Sequence, residues 1–115
     1  MVSTREPMLQ LELGTVGPRA VLSVTGELDT FSAPELESYL DGRCLAGCTV
    51  LEVDLAGVPM VASAGLSALI AVRRECERQG VDLQLRGARP SVLRIFELTG
   101  LARIFRFGDP APARA

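Results

Sequence analysis

An apolar strand pattern that runs through a turn of very small residues into a helix constrains this chain most. Leu51-Glu-Val-Asp-Leu55 alternates as a strand does, and Val58-Pro-Met-Val-Ala-Ser-Ala-Gly-Leu-Ser-Ala-Leu-Ile70 follows it. A turn made of Ala62, Ser63, Ala64 and Gly65 at a helix start lets another molecule approach the backbone closely. It also points unpaired N–H groups and the positive end of the helix dipole outward. Such a place suits a phosphate, a carboxylate or a phosphorylatable hydroxyl. Ser63 and Ser67 supply hydroxyls, whereas position 64 is alanine. The spacing predicts a helix from about Ser63 to Arg78, with an apolar stripe at Gly65, Leu69, Val72 and Cys76 and a stop at Gly80.

The charge-free run from Leu55 to Val72 is about long enough to span a bilayer. Pro59, Gly65 and several Ser and Ala residues make it weakly hydrophobic, so it reads as a buried segment of a soluble protein. Residues 1–7 contain no apolar run and do not form a signal peptide. Three cysteines without a signal read as reduced thiols, and the expected location is cytoplasmic. A chain of 115 residues supports one domain. The expected organisation is a flexible N-terminus over 1–7, a folded domain over 8–108 and a flexible Pro- and Ala-rich tail over 109–115. A net charge of −2 provides no basic field for nucleic acid.

Leu9, Leu11 and Leu13 alternate with polar neighbours and predict a first strand. A turn over Gly14 to Pro18 leads to a second strand, Ala20 to Thr25, and the two form a hairpin. A helix is predicted from about Ala33 to Arg43, with Ser32 and Glu35 at capping-box spacing and Pro34 in the first turn. Thr49 to Leu55 is a third strand and Val81 to Leu85 a fourth. Pro90 opens a third helix that closes at Gly100, and Ile104 to Phe107 supplies a short last strand. Because the strands alternate and are not continuously apolar, only one face of the sheet is expected to be covered. The fold class is therefore α/β: a single domain with a mixed β-sheet and helices mainly on one face.

Enzyme chemistry finds little support. There is no histidine, the commonest general base and a common metal ligand. Cys44 and Cys48 lack a second pair to complete a metal site, so no metal and no cofactor are expected. Glu52 and Asp54 on a strand, and Glu75 and Glu77 on a helix, read as solvated charges. Ser63 is not a nucleophile of the Gly-x-Ser-x-Gly type, because Val61 stands where the first glycine belongs. Phosphate-loop and dinucleotide fingerprints are also missing.

Two local patterns now meet the order strand, strand, helix, strand, helix, strand, helix. Gly26-Glu-Leu-Asp29 lies between the second strand and the first helix. Val53-Asp-Leu-Ala-Gly-Val-Pro-Met-Val-Ala-Ser-Ala-Gly-Leu66 is similar to a family segment in which a strand ending in Asp-Leu leads to Asp-Ser-Ser/Thr-Gly-Leu at a helix start. Together, from about Leu9 to Phe107, the chain resembles the STAS domain of bacterial anti-sigma-factor antagonists. The resemblance implies a small switch that docks on an anti-sigma factor, commonly of serine-kinase type, and so frees a sigma factor. It implies Asp29, Ala62, Ser63, Ala64, Gly65 and Leu66 as docking surface. It also implies phosphorylation of the residue just before the motif glycine, which weakens the complex.

The chain departs from this pattern at two positions. Ala62 replaces the acidic residue, and Ala64 occupies the implied phosphoacceptor place, so no modification is expected at position 64. Ser63 reads either as a helix N-cap, as a direct partner contact, or as a displaced phosphosite that one residue's rotation about the helix would serve poorly. Asp29 either caps the following turn or helps to form the partner surface. Cys76 reads as a small buried hydrophobe; Cys44, Cys48 and Cys76 are also candidates for a redox switch. The leading functional expectation is an anti-sigma-factor antagonist. The alternative is a sensor or scaffold module binding an anion or small ligand near Ser63. The oligomeric state stays open.

Overall fold

The computed structural model describes residues 8–40 and 47–108. Strands β1 (Gln10–Val16) and β2 (Arg19–Thr25) are followed by helix α1 (Ala33–Leu40), strand β3 (Val50–Gly57) and helix α2 (Ser63–Gln79). Strand β4 (Asp82–Arg86), helix α3 (Pro90–Leu98), a 3-10 turn (Leu101–Arg103) and strand β5 (Arg106–Phe107) complete the domain. The five strands lie in sequence order in one sheet; β1 and β2 are antiparallel, and every later neighbour is parallel.

The first hairpin is tighter than a turn over Gly14 to Pro18. Pairing continues to Val16 and Arg19, which leaves Gly17 and Pro18 as a two-residue turn. Gly17 takes φ +58, the backbone sign that primed hairpin turns require at their first central position. The third helix stops at Leu98, and Gly100 opens the 3-10 turn. The predicted end of α1 at Arg43, the two terminal segments and Cys44 lie outside the described residues.

Alternation along the strands produces a one-sided sheet. Ala20, Leu22, Val24, Leu51, Val53, Leu55, Leu83 and Leu85 are buried and share a core with Leu36 and Leu40 of α1, Leu66, Leu69, Val72 and Cys76 of α2, and Val92 and Phe96 of α3. Phe96 meets Phe105 and Phe107 edge-on, with ring centroids 5.5 and 5.4 Å apart, which ties α3 to the last strand. The opposite face is polar. Glu52, on that face, is not solvated: it is 8% exposed, paired with Arg19 from β2 and, at 2.8 Å, with Arg86 from β4. A carboxylate this covered keeps its charge only with such partners.

The charge-free run from Leu55 to Val72 divides into the end of β3, a loop and the first half of α2. Among the described residues no helix is long and apolar enough to cross a membrane.

Candidate docking site

Because β2 and β3 run parallel, the loops that follow them leave the same edge of the sheet. Their register shifts between Ser23 and Thr25, so that Thr25 lies opposite Gly57. Beyond that point Gly26 N–H donates to the Gly57 carbonyl at 3.0 Å. Leu28 and Val61 then form an isolated parallel bridge. Leu28 N–H donates to the Met60 carbonyl at 3.0 Å, and Ala62 N–H donates to the Leu28 carbonyl at 2.8 Å. The two loops are thus fastened to each other by backbone.

The first loop is rigid for local reasons. Asp29 Oδ1 accepts hydrogen bonds from the N–H groups of Phe31 (2.9 Å) and Ser32 (3.0 Å), and the Asp29 carbonyl accepts from Ala33 N–H at 2.9 Å. The Ser32 N–H bond above all, with that from Phe31, holds the Asp29 carboxyl below its ordinary range. Ser32 is buried; its hydroxyl donates to the Glu27 carbonyl at 2.6 Å and accepts from Asp29 N–H at 3.0 Å. No capping box forms at α1. Ser32 Oγ is turned back into its own loop, and the Glu35 carboxylate accepts from the N–H groups of Met8 and Leu9, both at about 3 Å. Asp29 caps the turn that leads into α1.

At the second loop, Ala62 is the N-cap of α2, extended at φ −93 and ψ 176, with no side-chain cap. Ser63 is therefore the first helical residue and not the cap that its residue type suggests. It is exposed, whereas Ala64 is half-buried and packs against the core. Gly65 and Leu66 are buried. Of the six expected docking residues, Asp29, Ala62, Ser63 and Ala64 retain accessible surface, while Gly65 and Leu66 hold the turn in place from beneath.

Two residues of this edge carried no role in the sequence reading. Phe31 is 62% exposed and Met60 40% exposed, one on each loop. The signal was available: both are large apolar residues inside segments of turn formers, outside any helical or strand period.

The thiols occupy different settings. Cys76 is fully buried on the α2 stripe. Cys48 is half-buried, and burial pushes its thiol pKa up. Among the described residues no group of three His, Cys, Asp or Glu is placed to hold a metal ion. The concavities found between α2 and β4–β5, between α1 and α2, and over β1–β2 are lined by residues other than Ser63.

The STAS domain family model matches residues 10–111. This chain belongs to the STAS domain family. The STAS domain is 30% identical over 101 residues to an anti-sigma-B factor antagonist of Staphylococcus aureus, covering 88% of this chain and 94% of that protein. Its fold matches that of an anti-sigma factor antagonist from Mycobacterium paratuberculosis with a TM-score of 0.77, at 24% identity over 93% of this chain and 92% of that one. The Bacillus cell fate determinant SpoIIAA, in a structure of its phosphorylated form, matches with a TM-score of 0.65 at 19% identity, over 88% of this chain and 91% of that one.

Proposed function

We propose that this STAS domain is an anti-sigma-factor antagonist: it docks on an anti-sigma factor, which then releases its sigma factor. The near full-length likeness to the staphylococcal antagonist carries this reading. The docking surface is the edge built by the Asp29 loop and the start of α2, where Asp29, Ala62, Ser63 and Ala64 are accessible and the two loops are held by the Leu28–Val61 bridge. A preformed edge of this kind loses little conformational freedom when a partner lands on it. The protein acts by binding, without a cofactor and without chemistry of its own.

Regulation by phosphate cannot use position 64, which has no hydroxyl. Ser63 is the exposed hydroxyl nearest to position 64 in the chain, and it is not engaged as the helix cap. The half-buried side of the turn belongs to Ala64, so the one-residue displacement favours Ser63 as the side chain a kinase reaches. A kinase-type partner presents nucleotide phosphates to the acceptor hydroxyl. A phosphoserine there adds nearly two negative charges and the bulk of a phosphate to an edge that docks with a bare hydroxyl, and so weakens the complex. Incubating the protein with a kinase-type anti-sigma factor and ATP, then mapping the product by mass spectrometry, tests this. Phosphate on Ser63 and its absence from a Ser63→Ala variant are expected. An unmodified protein that stays bound in the presence of ATP would make it a constitutive antagonist.

A further inference from the structure

We infer that Phe31, with Met60 on the neighbouring loop as a second apolar contact, is the apolar anchor of the docking surface, and that it seats in an apolar pocket of the anti-sigma factor rimmed by basic side chains. The inference rests on the proposed antagonist function and names the chemistry of the surface its partner must present. Phe31 is 62% exposed on a loop whose backbone is fixed on both sides. Its own N–H is bonded to Asp29 Oδ1 at 2.9 Å, and the next residue, Ser32, is fully buried and doubly hydrogen-bonded. These bonds fix the backbone that carries the ring, so the loop need not be ordered when a partner covers Phe31. Rigid aromatic residues held out to solvent are the residue type that dominates binding energy in interfaces, since they bury much area at little entropic cost.

Met60 precedes Val61 of the Leu28–Val61 bridge, is 40% exposed, and supplies a side chain that adapts its shape to a partner. Charge defines the rim of the partner pocket. From Thr25 to Leu40 the chain carries Glu27, Asp29, Glu35 and Glu37 and no Lys or Arg. An apolar anchor on an acidic loop, with Glu27 and Asp29 preceding it in the chain, matches a pocket with an apolar floor and Lys or Arg at its mouth.

The test is a calorimetric titration of the anti-sigma factor with wild type, Phe31→Ala and Met60→Ser, with Leu98→Ala as a control. Leu98 is 70% exposed but belongs to α3. Thermal melts confirm that each variant is folded. Phe31→Ala is expected to weaken binding by about tenfold or more, as removal of an interface anchor does, and Met60→Ser by less. Leu98→Ala should leave affinity unchanged, and added salt should slow association of the wild type. Phe31→Ala binding as tightly as wild type overturns the anchor while leaving the antagonist reading intact. A wild type that binds no anti-sigma factor overturns both.

Discussion

A Cβ placed on Gly65 would lie 2.6 Å from the carbonyl oxygen of Leu28 and 2.8 Å from its Cβ. The first turn of α2 therefore rests directly on the backbone of the Asp29 loop, and the same Leu28 carbonyl accepts the Ala62 N–H. The glycine that marks the family pattern works here from below the surface. It lets α2 settle against Leu28 and brings Ser63 to the same edge as Asp29.

Gly65→Ala should destabilise the domain by about 1–3 kcal/mol, the usual cost of overpacking, because the obstructing atoms are backbone and cannot rotate away. Chemical denaturation measures this. Wild-type stability in that variant would mean that the turn is looser than described, and a larger side chain should fail to fold before it reports on binding.

Ser32→Ala removes both bonds of a fully buried hydroxyl, leaving the Glu27 carbonyl and the Asp29 N–H without that partner. Each such loss costs roughly 1–3 kcal/mol. Urea titration should show the loss of stability, and partner affinity should fall with it as the loop loosens. Unchanged affinity would separate the loop from docking.

Acid should act on the same loop through Asp29. Its folded-state pKa lies below the ordinary 3.8. Its contribution is therefore complete at pH values above 3.8 and is lost as pH falls through the lower folded value. The Tm difference between wild type and Asp29→Asn should be constant near neutrality and shrink in acid below 3.8. A difference that does not depend on pH would assign the effect to shape and not to charge.

Thiol chemistry has a clear expectation among the described residues. Burial raises the Cys48 pKa and encloses Cys76, so both should react with alkylating reagents more slowly than a free cysteine thiol. Peptide mapping after brief alkylation reads each site separately. Rapid labelling at Cys48 would favour its reading as a redox switch.

The succession of elements along the chain, the hairpin, the α2 stripe and the one-sided sheet were legible because each is written in local periodicity. What escaped was decided by neighbours far along the chain. Ser32 and Glu35 have the spacing of a capping box, yet Ser32 turns to Glu27 and Asp29, and Glu35 is taken by the N–H groups of Met8 and Leu9. Glu52 has the period of an open-face residue, but strand register sets Arg19 and Arg86 on either side and covers it. That the Asp29 loop and the start of α2 stand out in the chain was legible; how their residues divide between cap, core and surface was not. Whether Ser63 or Ala62 caps α2, and which side of the turn faces out, depends on where α2 meets Leu28.

The most direct measurement is the affinity of the purified protein for its anti-sigma factor, by calorimetry, for wild type and Ser63→Glu side by side. The account predicts a saturable complex with the wild type, weakened about tenfold or more by a charge at Ser63, with both proteins equally folded. A wild type that shows no complex, or a Ser63→Glu variant that binds as tightly as wild type, would contradict it.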